Sequence, residues 1–321
     1  MNAPTLICIP ALTFVVTAAG LPAAESARIE LKENKDQGQL QLSIDGKEMA
    51  VYCYGGVDLP HFYPLHSPSG KLLTVQKTDP YPHHRSLWFA DTVMLEGRRQ
   101  ASFYNGLYSQ VDRKDPKSPY RDHVRHVEFL GLKSAGDRAE YGEKLVWEMD
   151  LNVPVLDETR QVRIVALDQG QYFLDFTFAL TATYGDVKFT SDGAHYAWPY
   201  VRMHPQFSVD KGGTMTNSEG GVNQKGTNNQ RARWVDYSNT IDGVTEGLAF
   251  FTYDQDEPAH LWLTRDYGTF GPRRADAQNG KPFTVQKGDC LKQRVGILIH
   301  RGDVKDARVA QRYRQYIEGK L

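Results

Sequence analysis

The stretch QYFLDFTFALTATY, residues 171–184, decides the fold class of this chain of 321 residues. Apolar side chains occupy every second position from 174 to 180, and Asp175 and Thr177 stand between them. A period of two is typical of a β-strand that buries one face and exposes the other. The stretch therefore predicts a long, half-buried strand.

Further runs rich in β-forming residues recur along the chain, with turn-forming clusters such as IDGK, DKGG and NSEGG between them. Many short strands separated by turns predict an all-β, antiparallel β-sandwich, and a supersandwich is one form that fits. One helix is expected after Asp303, where apolar residues recur at helical spacing up to Ile317, and it should pack on the sandwich. The predicted strands occupy residues 39–45, 49–54, 160–167, 171–184, 187–190, 247–253, 260–268 and 294–300.

Composition excludes several classes of function. The 38 Lys and Arg residues balance 39 Asp and Glu residues, which leaves no large basic field for binding nucleic acid. The 17 Tyr, 14 Phe and 5 Trp residues supply enough apolar surface for a folded core. The sequence contains neither a glycine-rich dinucleotide fingerprint after a strand nor a Walker-type loop, so it does not support a nucleotide cofactor.

The amino terminus has the pattern of a secretory signal. Residues 6–19 form an apolar run, and small residues suited to signal-peptidase cleavage follow up to Ala24. We therefore expect residues 1–24 to be a signal peptide and residues 25–321 to form a single β-sandwich domain without a membrane span. The protein is then periplasmic or extracellular. The alternative is that the apolar run is a buried first strand or helix.

Two cysteines, Cys53 and Cys290, remain after the predicted signal is removed. In an exported domain they can form one disulfide, and equally they can be two small buried residues, because their spacing decides neither. They do not form a CxxC pair, so a zinc knuckle of thiolates is excluded.

Residues 79–92, DPYPHHRSLWFADT, carry the first group of candidate functional side chains. Prolines favour an extended backbone, in which His83 and Arg85 would share one side of the chain, opposite to His84. A histidine that faces a cleft can transfer protons near neutral pH, so His83 and His84 are candidate catalytic residues. Arg85 is a candidate for binding a carboxylate or phosphate, and Trp88 for contacting a substrate. The alternative is that both histidines only bond to neighbouring loops.

Residues 193–208, GAHYAWPYVRMHPQFS, combine aromatic rings with cationic side chains. Rings cover the apolar faces of sugars, and polar groups bind hydroxyls or a uronate carboxylate. Tyr196 and His204 are therefore candidate catalytic residues, and Trp198 and Arg202 are candidate substrate contacts. The alternative is an aromatic core strand with polar residues at its rim, and Pro199 favours a bend or an edge strand. In an extended backbone five side chains would share one face: Tyr196, Trp198, Tyr200, Arg202 and His204.

Residues 260–273, HLWLTRDYGTFGPR, contain the neighbours Arg265 and Asp266 before a glycine turn. Arg265 is a candidate for binding an anionic substrate, and Asp266 for orienting a histidine. The alternative is that this pair only fixes the loop. A divalent metal bound by His83 or His84 together with His204 and Asp266 is a further option, although no ligand spacing requires it.

Five segments occur in an order that matches a known family. PHHRSLWFA at 82–90 is the most specific of them. The others are RARWVDYS at 231–238, GVTEGLAFF at 243–251, WLTRDYGTF at 262–270 and GILIHRGD at 296–303. Together they resemble a family of exported bacterial proteins called methane-oxygenase PmoA-like. The resemblance implies an exported β protein and, by association with polysaccharide-degrading bacteria, a role with carbohydrates.

The chain departs from that family directly after the LWFA motif. Many relatives continue with a His-Gly and a Val-Asn-Gly-x-Asp-Phe-Trp segment, whereas this chain reads DTVMLEGRRQASFYNG at 91–106. The roles of those family residues are not transferred, and the polar residues found here are Asp91, Glu96, Tyr104 and Asn105. Methane oxidation is not expected, because a particulate methane monooxygenase subunit spans the membrane several times and this chain has no span beyond the predicted signal.

Two classes of function remain open. The first is an exported carbohydrate-active enzyme. A lyase would use a candidate histidine or Tyr196 as base and acid, with Arg85, Arg202 or Arg265 neutralising a uronate. A glycoside hydrolase would need two carboxylates about 5–10 Å apart, chosen from Asp91, Glu96 and Asp266. The second class is a noncatalytic glycan-binding or structural β-sandwich, and the grouping of His, Tyr and Arg favours the lyase.

Overall fold

The computed structural model describes residues 28–56, 58–104, 122–150, 152–190, 196–253, 259–274 and 282–321. The predicted signal peptide, residues 1–24, lies outside the described residues. Within them the sheets are antiparallel, and a short helix lies near the carboxyl end. The prediction of an all-β, antiparallel sandwich with a carboxyl-terminal helix is therefore confirmed.

Strands and turns alternate along the described chain. The strands are β1 (Ile29–Asn34), β2 (Gln39–Ile44), β3 (Lys47–Cys53), β4 (His61–Leu65), β5 (Leu87–Trp88), β6 (Thr92–Leu95), β7 (Gln100–Ser102), β8 (His123–Ala135), β9 (Arg138–Met149), β10 (Val153–Ala166), β11 (Tyr172–Thr181), β12 (Val187–Phe189), β13 (Tyr200–Arg202), β14 (Thr214–Asn217), β15 (Trp234–Ile241), β16 (Val244–Thr252), β17 (Trp262–Thr264), β18 (Thr269–Pro272), β19 (Phe283–Val285) and β20 (Cys290–Arg301). The helices are α1 (Asn223–Thr227) and α2 (Val309–Ile317), and 3-10 turns cover Asp168–Gly170, Pro205–Phe207 and Val209–Lys211.

Two eight-stranded sheets face each other in the described part of the chain. Sheet I has the order β1-β2-β3-β4-β5-β13-β18-β17, and sheet II has the order β14-β15-β16-β20-β11-β10-β9-β8. Phe62 of β4 lies edge-on to Phe176 of β11, with ring centroids 5.7 Å apart, so the two sheets share one core. A third sheet of four strands has the order β19-β12-β6-β7.

Helix α2 packs on the outer face of sheet II, as expected. Tyr316 of α2 contacts Phe173 of β11 at 5.2 Å between ring centroids, and its hydroxyl donates to Asp175 at 3.3 Å. Asp175 was expected on an exposed face and is only 6% exposed, because α2 and an ion pair of 2.6 Å from Arg294 cover it. Both faces of β11 are therefore buried at this point.

The helix begins later than the pattern of apolar residues predicts. The carboxylate of Asp303 accepts the backbone N–H groups of Lys305 and Asp306 and so closes a separate turn. Helix α2 begins only at Val309, after Arg308 has adopted a positive φ of 52°. Asp303 caps the turn that precedes the helix and not the helix itself.

Both cysteines carry free thiols. Cys53 is half-buried in β3 and donates to the carbonyl of Tyr63 at 3.5 Å, whereas Cys290 is exposed at the start of β20. The disulfide is therefore not formed, and Cys290 is not a buried residue either. None of the helices in the described ranges has the length and apolar character that crossing a membrane requires.

Candidate functional site

The central strands of sheet I carry aromatic and cationic side chains on the face that points away from sheet II. Neighbouring residues of a strand point to opposite faces. Phe89 points inward and lies 4.3 Å from Phe178 of β11, whereas Trp88 points outward and stacks on Tyr200 at 4.9 Å between ring centroids. The antiparallel register places Tyr200 of β13 directly opposite Trp88 of β5, so this stacked pair is built into the sheet.

Loops bring further rings onto this outer face. Tyr104 stacks on Tyr196 with 4.1 Å between ring centroids and lies 5.0 Å from Tyr200. Tyr81 stacks on His84 at 4.8 Å, and the His84 ring lies 5.5 Å from that of Trp88. We call six of these residues the aromatic cluster: Tyr81, His84, Trp88, Tyr104, Tyr196 and Tyr200.

His84 is the histidine of the aromatic cluster and is buried, with 3% of its surface exposed. Its Nε2 lies 3.0 Å from the hydroxyl of Tyr104, and within the described chain its buried Nδ1 has no hydrogen-bond partner. Burial, followed by the positive charges of His83, Arg202 and Arg85, lowers the pKa of His84 to about 3. The ring is therefore neutral at neutral pH, and when Tyr104 donates to Nε2 the ring hydrogen is on Nδ1.

His83 lies beside His84 and not on the opposite side of the chain. The backbone turns here, because the N–H of Tyr81 donates to the carbonyl of Thr78 and the N–H of His84 donates to the carbonyl of Tyr81. The two imidazole rings consequently meet edge to face at 4.6 Å, and His83 also lies 5.5 Å from Tyr104. The extended backbone expected from the prolines is wrong, and both histidines belong to one site.

Arg85 is fully buried and bound to Asp58. Its Nε lies 3.1 Å from each carboxylate oxygen of Asp58, and Nη2 makes a further ion pair with that carboxylate. Burial alone would raise the pKa of Asp58, but the charges and hydrogen bonds of Arg85 and Lys77 lower it to about 2. Nη1 of Arg85 donates to the carbonyl of His83 at 2.6 Å. Arg85 thus fixes the backbone that carries the histidines, in place of the predicted contact with a substrate.

Trp198 faces the core and is separated from the aromatic cluster. Its Nε1 donates to the carboxylate of Asp91 at 2.7 Å, and its ring lies edge-on to Phe89 at 5.1 Å. Only 2% of its surface is exposed. The expected single face from Tyr196 to His204 is wrong, because regular strand structure begins only at Tyr200.

Arg202 lies at the His84 end of the aromatic cluster. Its guanidinium carbon is 4.6 Å from the ring centroid of Tyr267 and 5.7 Å from that of Tyr81. Nη1 donates to the carbonyl of Tyr267 at 2.9 Å, whereas Nε is buried and finds no partner in the described chain. Burial is the main cause of a lowered pKa of Arg202. The structure thus keeps Arg202 as a candidate substrate contact.

The remaining candidate residues have local structural partners. Nδ1 of His204 accepts the backbone N–H of Gln206 and caps the 3-10 turn Pro205–Phe207. Nη1 of Arg265 donates to Asn228 at 2.8 Å, and the Asp266 carboxylate accepts the backbone N–H of Gln224 at 2.8 Å. Asp266 therefore fixes a loop and does not orient a histidine.

The three candidate carboxylates lie on different elements. Asp91 is buried and accepts from Trp198 and the backbone of Thr92, while Glu96 is exposed in the turn between β6 and β7. Asp266 is held in the turn between β17 and β18. Within the described ranges, no three His, Cys, Asp or Glu side chains group in a way that would hold a metal ion.

Three residues of this face were missed or undervalued in the sequence. Tyr104 was only a polar residue in a divergent segment, and Tyr81 and Arg273 received no role. Arg273 had a signal, because alternation from Thr269 through Gly271 places it on the face of the site. No sequence pattern indicated Tyr104. It reaches the histidines because the chain folds back here, where the N–H of Tyr104 donates to the carbonyl of Asp91 at 3.2 Å. Asn105 lies outside the described residues.

Solved structures similar to this chain include carbohydrate-active proteins. The GH36 α-galactosidase AgaB of Geobacillus stearothermophilus is 8% identical with a TM-score of 0.48, and the match covers 87% of this chain and 42% of the galactosidase. A polysaccharide lyase is 12% identical with a TM-score of 0.38, over 90% of this chain and 34% of the lyase. A putative aldose 1-epimerase from Escherichia coli K12 is 10% identical with a TM-score of 0.34, and the match covers 87% of this chain and 98% of the epimerase.

These similarities carry no argument about activity, since every one of these TM-scores is below 0.5. The chain also spans less than half the length of the galactosidase and of the lyase. No curated protein matches the sequence. One protein family, described as a family of unknown function, matches residues 39–314, which is the larger part of the chain. The chain therefore belongs to the family DUF6807.

Proposed function

We propose that this protein is an exported carbohydrate-active enzyme, a lyase that cleaves a uronate-containing polysaccharide or its fragments. The observation that carries the proposal is the 3.0 Å hydrogen bond between the Tyr104 hydroxyl and Nε2 of His84, inside a cluster of stacked rings. Export rests on the apolar run at residues 6–19, and a relationship to PmoA-like proteins rests on the segment PHHRSLWFA at 82–90.

The stacked rings provide a surface that suits a sugar. Aromatic faces pack against the C–H faces of pyranose rings, while a few polar groups at such a surface set the orientation. His83, Tyr81 and Tyr104 are half-buried, whereas Trp88 and Tyr200 lie deeper. A sugar would therefore meet His83, Tyr81 and Tyr104 first.

The pair Tyr104 and His84 can carry out the proton transfers of a β-elimination. Tyr104 takes the proton at C5 of the uronate on its hydroxyl oxygen, while its own proton passes to Nε2 of His84. The electron pair left at C5 forms the C4–C5 double bond as the C4–O bond breaks. The departing oxygen takes a proton from Tyr104, which recovers its own from His84.

The low pKa of His84 suits this reaction once an anionic sugar is bound. In the free protein, burial and then the neighbouring positive charges hold the pKa at about 3. A uronate carboxylate near the ring would oppose those charges and stabilise the imidazolium, which raises the pKa. It would also offer an acceptor to the buried Nδ1, for which the described chain provides none. His84 would thus become an effective base only with substrate in place.

The test is turnover of uronate-containing polysaccharides by the purified protein. The ultraviolet absorbance of the unsaturated product and the new reducing ends are followed together. We expect both signals to appear, and we expect His84→Gln to lower the rate by about 100-fold or more, because general acid–base catalysis contributes that much. His66→Gln is the matched control, since His66 lies at the end of β4 and makes none of the ring contacts of the cluster.

Each other result overturns part of the proposal. Reducing ends without absorbance would mean hydrolysis and would direct attention to carboxylates. Binding without turnover, with His84→Gln folded and binding equally well, would favour a noncatalytic glycan-binding sandwich. An equal loss of rate in His66→Gln would mean that the substitution acts through stability and not through proton transfer.

A further inference from the structure

We propose that Arg273 holds the carboxylate of a uronate residue on the outer face of sheet I, beside Tyr200. Arg273 directly follows β18, and its N–H still donates to the neighbouring strand segment at 2.8 Å, so the alternation of β18 continues through it. It therefore shares the face of Thr269, whose hydroxyl lies 3.4 Å from Arg202. This inference rests on the proposed function, because it names the group that would recognise the acidic substrate.

The Arg273 side chain is buried, and two of its guanidinium nitrogens have no partner within the described residues. Only 2% of the residue is exposed, and neither Nε nor Nη1 finds a hydrogen-bond partner within the described ranges. Burial lowers the pKa of Arg273 to about 10; Tyr200 opposes this shift, and the positive charge of Arg265 adds to it. The side chain is still charged at neutral pH, and a buried charge without a counter-charge is strongly unfavourable. A bound anion would supply both the charge and the acceptors.

Two other buried arginines of this protein are paired with carboxylates. Arg160 is 3% exposed and lies 2.8 Å from Glu158, and Arg85 is bound to Asp58. The arginines of the outer face instead bond to neutral groups, such as the Tyr267 carbonyl and the Asn228 side chain, or to none. In the part of the chain that the structure describes, no ion pair is formed by these three: Arg202, Arg265 and Arg273.

The groups around Arg273 suit an acidic sugar better than a free inorganic anion. The Tyr200 phenol is one of the groups that act on the pKa of Arg273. The Tyr200 ring stacks on Trp88, whose buried Nε1 also lacks a partner in the described chain. Arg202 adds a further buried donor, Nε, on the same face. A uronate carries a carboxylate for the planar guanidinium, hydroxyls for the remaining donors and an apolar ring face for the aromatic pair.

The experiment compares two ligands that differ only in carrying a carboxylate or a neutral hydroxymethyl group. The affinities of a glucuronate oligosaccharide and of its carboxyl-reduced counterpart are measured by calorimetry on the purified protein and on Arg273→Met. We expect the acidic oligosaccharide to bind the wild-type protein about 10- to 100-fold more tightly than the reduced one, as charge-assisted hydrogen bonds suggest. Arg273→Met should abolish that difference, because it should lower the affinity for the acidic ligand far more than the affinity for the reduced one.

Two further variants serve as controls for the charge and for the position of Arg273. Arg273→Lys keeps the charge but loses the planar fork, so part of the preference for the acidic ligand should remain. Arg138→Met removes an exposed arginine of β9 on the other sheet and should change neither affinity. Arg273→Met should also melt no lower than the wild-type protein, because it removes a buried charge that has no counter-charge in the described part of the chain.

The outcomes separate this subsite from the proposed function. Equal affinity of wild-type protein and Arg273→Met for the acidic ligand overturns the subsite, while His84-dependent elimination, measured separately, would still stand. A large loss of thermal stability in Arg273→Met would also overturn it, since the arginine would then hold the fold together. If neither ligand binds and no polysaccharide is cleaved, both proposals fail.

Discussion

Tyr104 and His84 are joined by a hydrogen bond of 3.0 Å between the phenol hydroxyl and Nε2, although 20 residues separate them in the chain. The bond forms because the chain folds back after β7, where the N–H groups of Phe103 and Tyr104 both donate to the carbonyl of Asp91. At the same time Arg85 holds the carbonyl of His83 from the other side. Two independent sets of contacts thus bring a phenol and an imidazole together beside stacked rings.

Removing the hydroxyl of Tyr104 separates its chemical role from its packing role. We expect Tyr104→Phe to lower the free energy of unfolding by about 1 kcal/mol, the usual value of one hydrogen bond, because the ring still stacks on Tyr196. The elimination rate should fall by about 100-fold or more, since the group that we propose takes the C5 proton is lost. Urea denaturation and the absorbance assay measure the two effects.

Tyr184→Phe is the matched control for that variant. It also removes one phenol hydroxyl, which donates to Asp157 at 2.8 Å, from a residue that is 40% exposed between β11 and β12. Its elimination rate should equal that of the wild-type protein. If Tyr104→Phe kept the full elimination rate, the Tyr104 hydroxyl would take no part in the reaction.

The low pKa of His84 predicts a loss of stability in acid. The folded protein has a pKa of about 3 at this site, whereas the unfolded chain has a value near 6.5. Between these values the unfolded chain binds a proton that the folded protein does not, so stability falls as the pH drops, by up to about 1.4 kcal/mol per pH unit. Denaturation between pH 7 and 4 should show a steeper loss for wild-type protein than for His84→Gln. Identical slopes would mean that His84 is not kept neutral by burial.

Local periodicity was sufficient to predict the fold. Alternation in residues 171–184 predicted β11, because the period of a strand is a property of neighbouring residues only. The apolar residues up to Ile317 predicted a helix for the same reason. The start of that helix was predicted too early. The Asp303 carboxylate could accept backbone N–H groups either as a helix cap or within a separate turn, and the structure shows the turn.

The site was predictable only where no distant partner intervenes. His83, His84 and Arg202 lie at the site as the residue types suggested, but Arg85 pairs with Asp58, which stands 27 residues earlier and shares no local pattern with it. The predicted orientation of Trp198 was wrong for a related reason. Alternation of faces holds only within a strand, and Trp198 precedes β13. Residues that become partners only through tertiary contacts share no periodic pattern that the sequence would reveal.

The ion pair between the buried Arg85 and the partly exposed Asp58 predicts a large loss of stability from one substitution. Asp58→Asn leaves the fully buried guanidinium without its counter-charge, so we expect a loss of about 3–5 kcal/mol in unfolding free energy. Asp45→Asn is the control, because it breaks the exposed pair of Asp45 with Arg28 and should cost about 1 kcal/mol or less. Chemical denaturation of both variants checks this, and equal losses would contradict the structural role given to Arg85.

Gly271 allows β18 to approach the segment before β13, and this closeness predicts a coupled loss of stability and binding. A Cβ atom at Gly271 would lie 2.1 Å from the carbonyl oxygen of Pro199, so Gly271→Ala must push the two segments apart. We expect a loss of about 1–3 kcal/mol, as in overpacked cores, together with weaker binding of the acidic oligosaccharide, because Tyr200 and Arg273 flank the displaced residues. Gly97→Ala is the control: its φ of 69° makes alanine unfavourable by about 1–2 kcal/mol, but nothing lies within 4 Å of the new methyl group. The control should lose stability and keep its affinity for the acidic oligosaccharide. If Gly271→Ala also kept its affinity, the position of Arg273 would not depend on the packing of these strands.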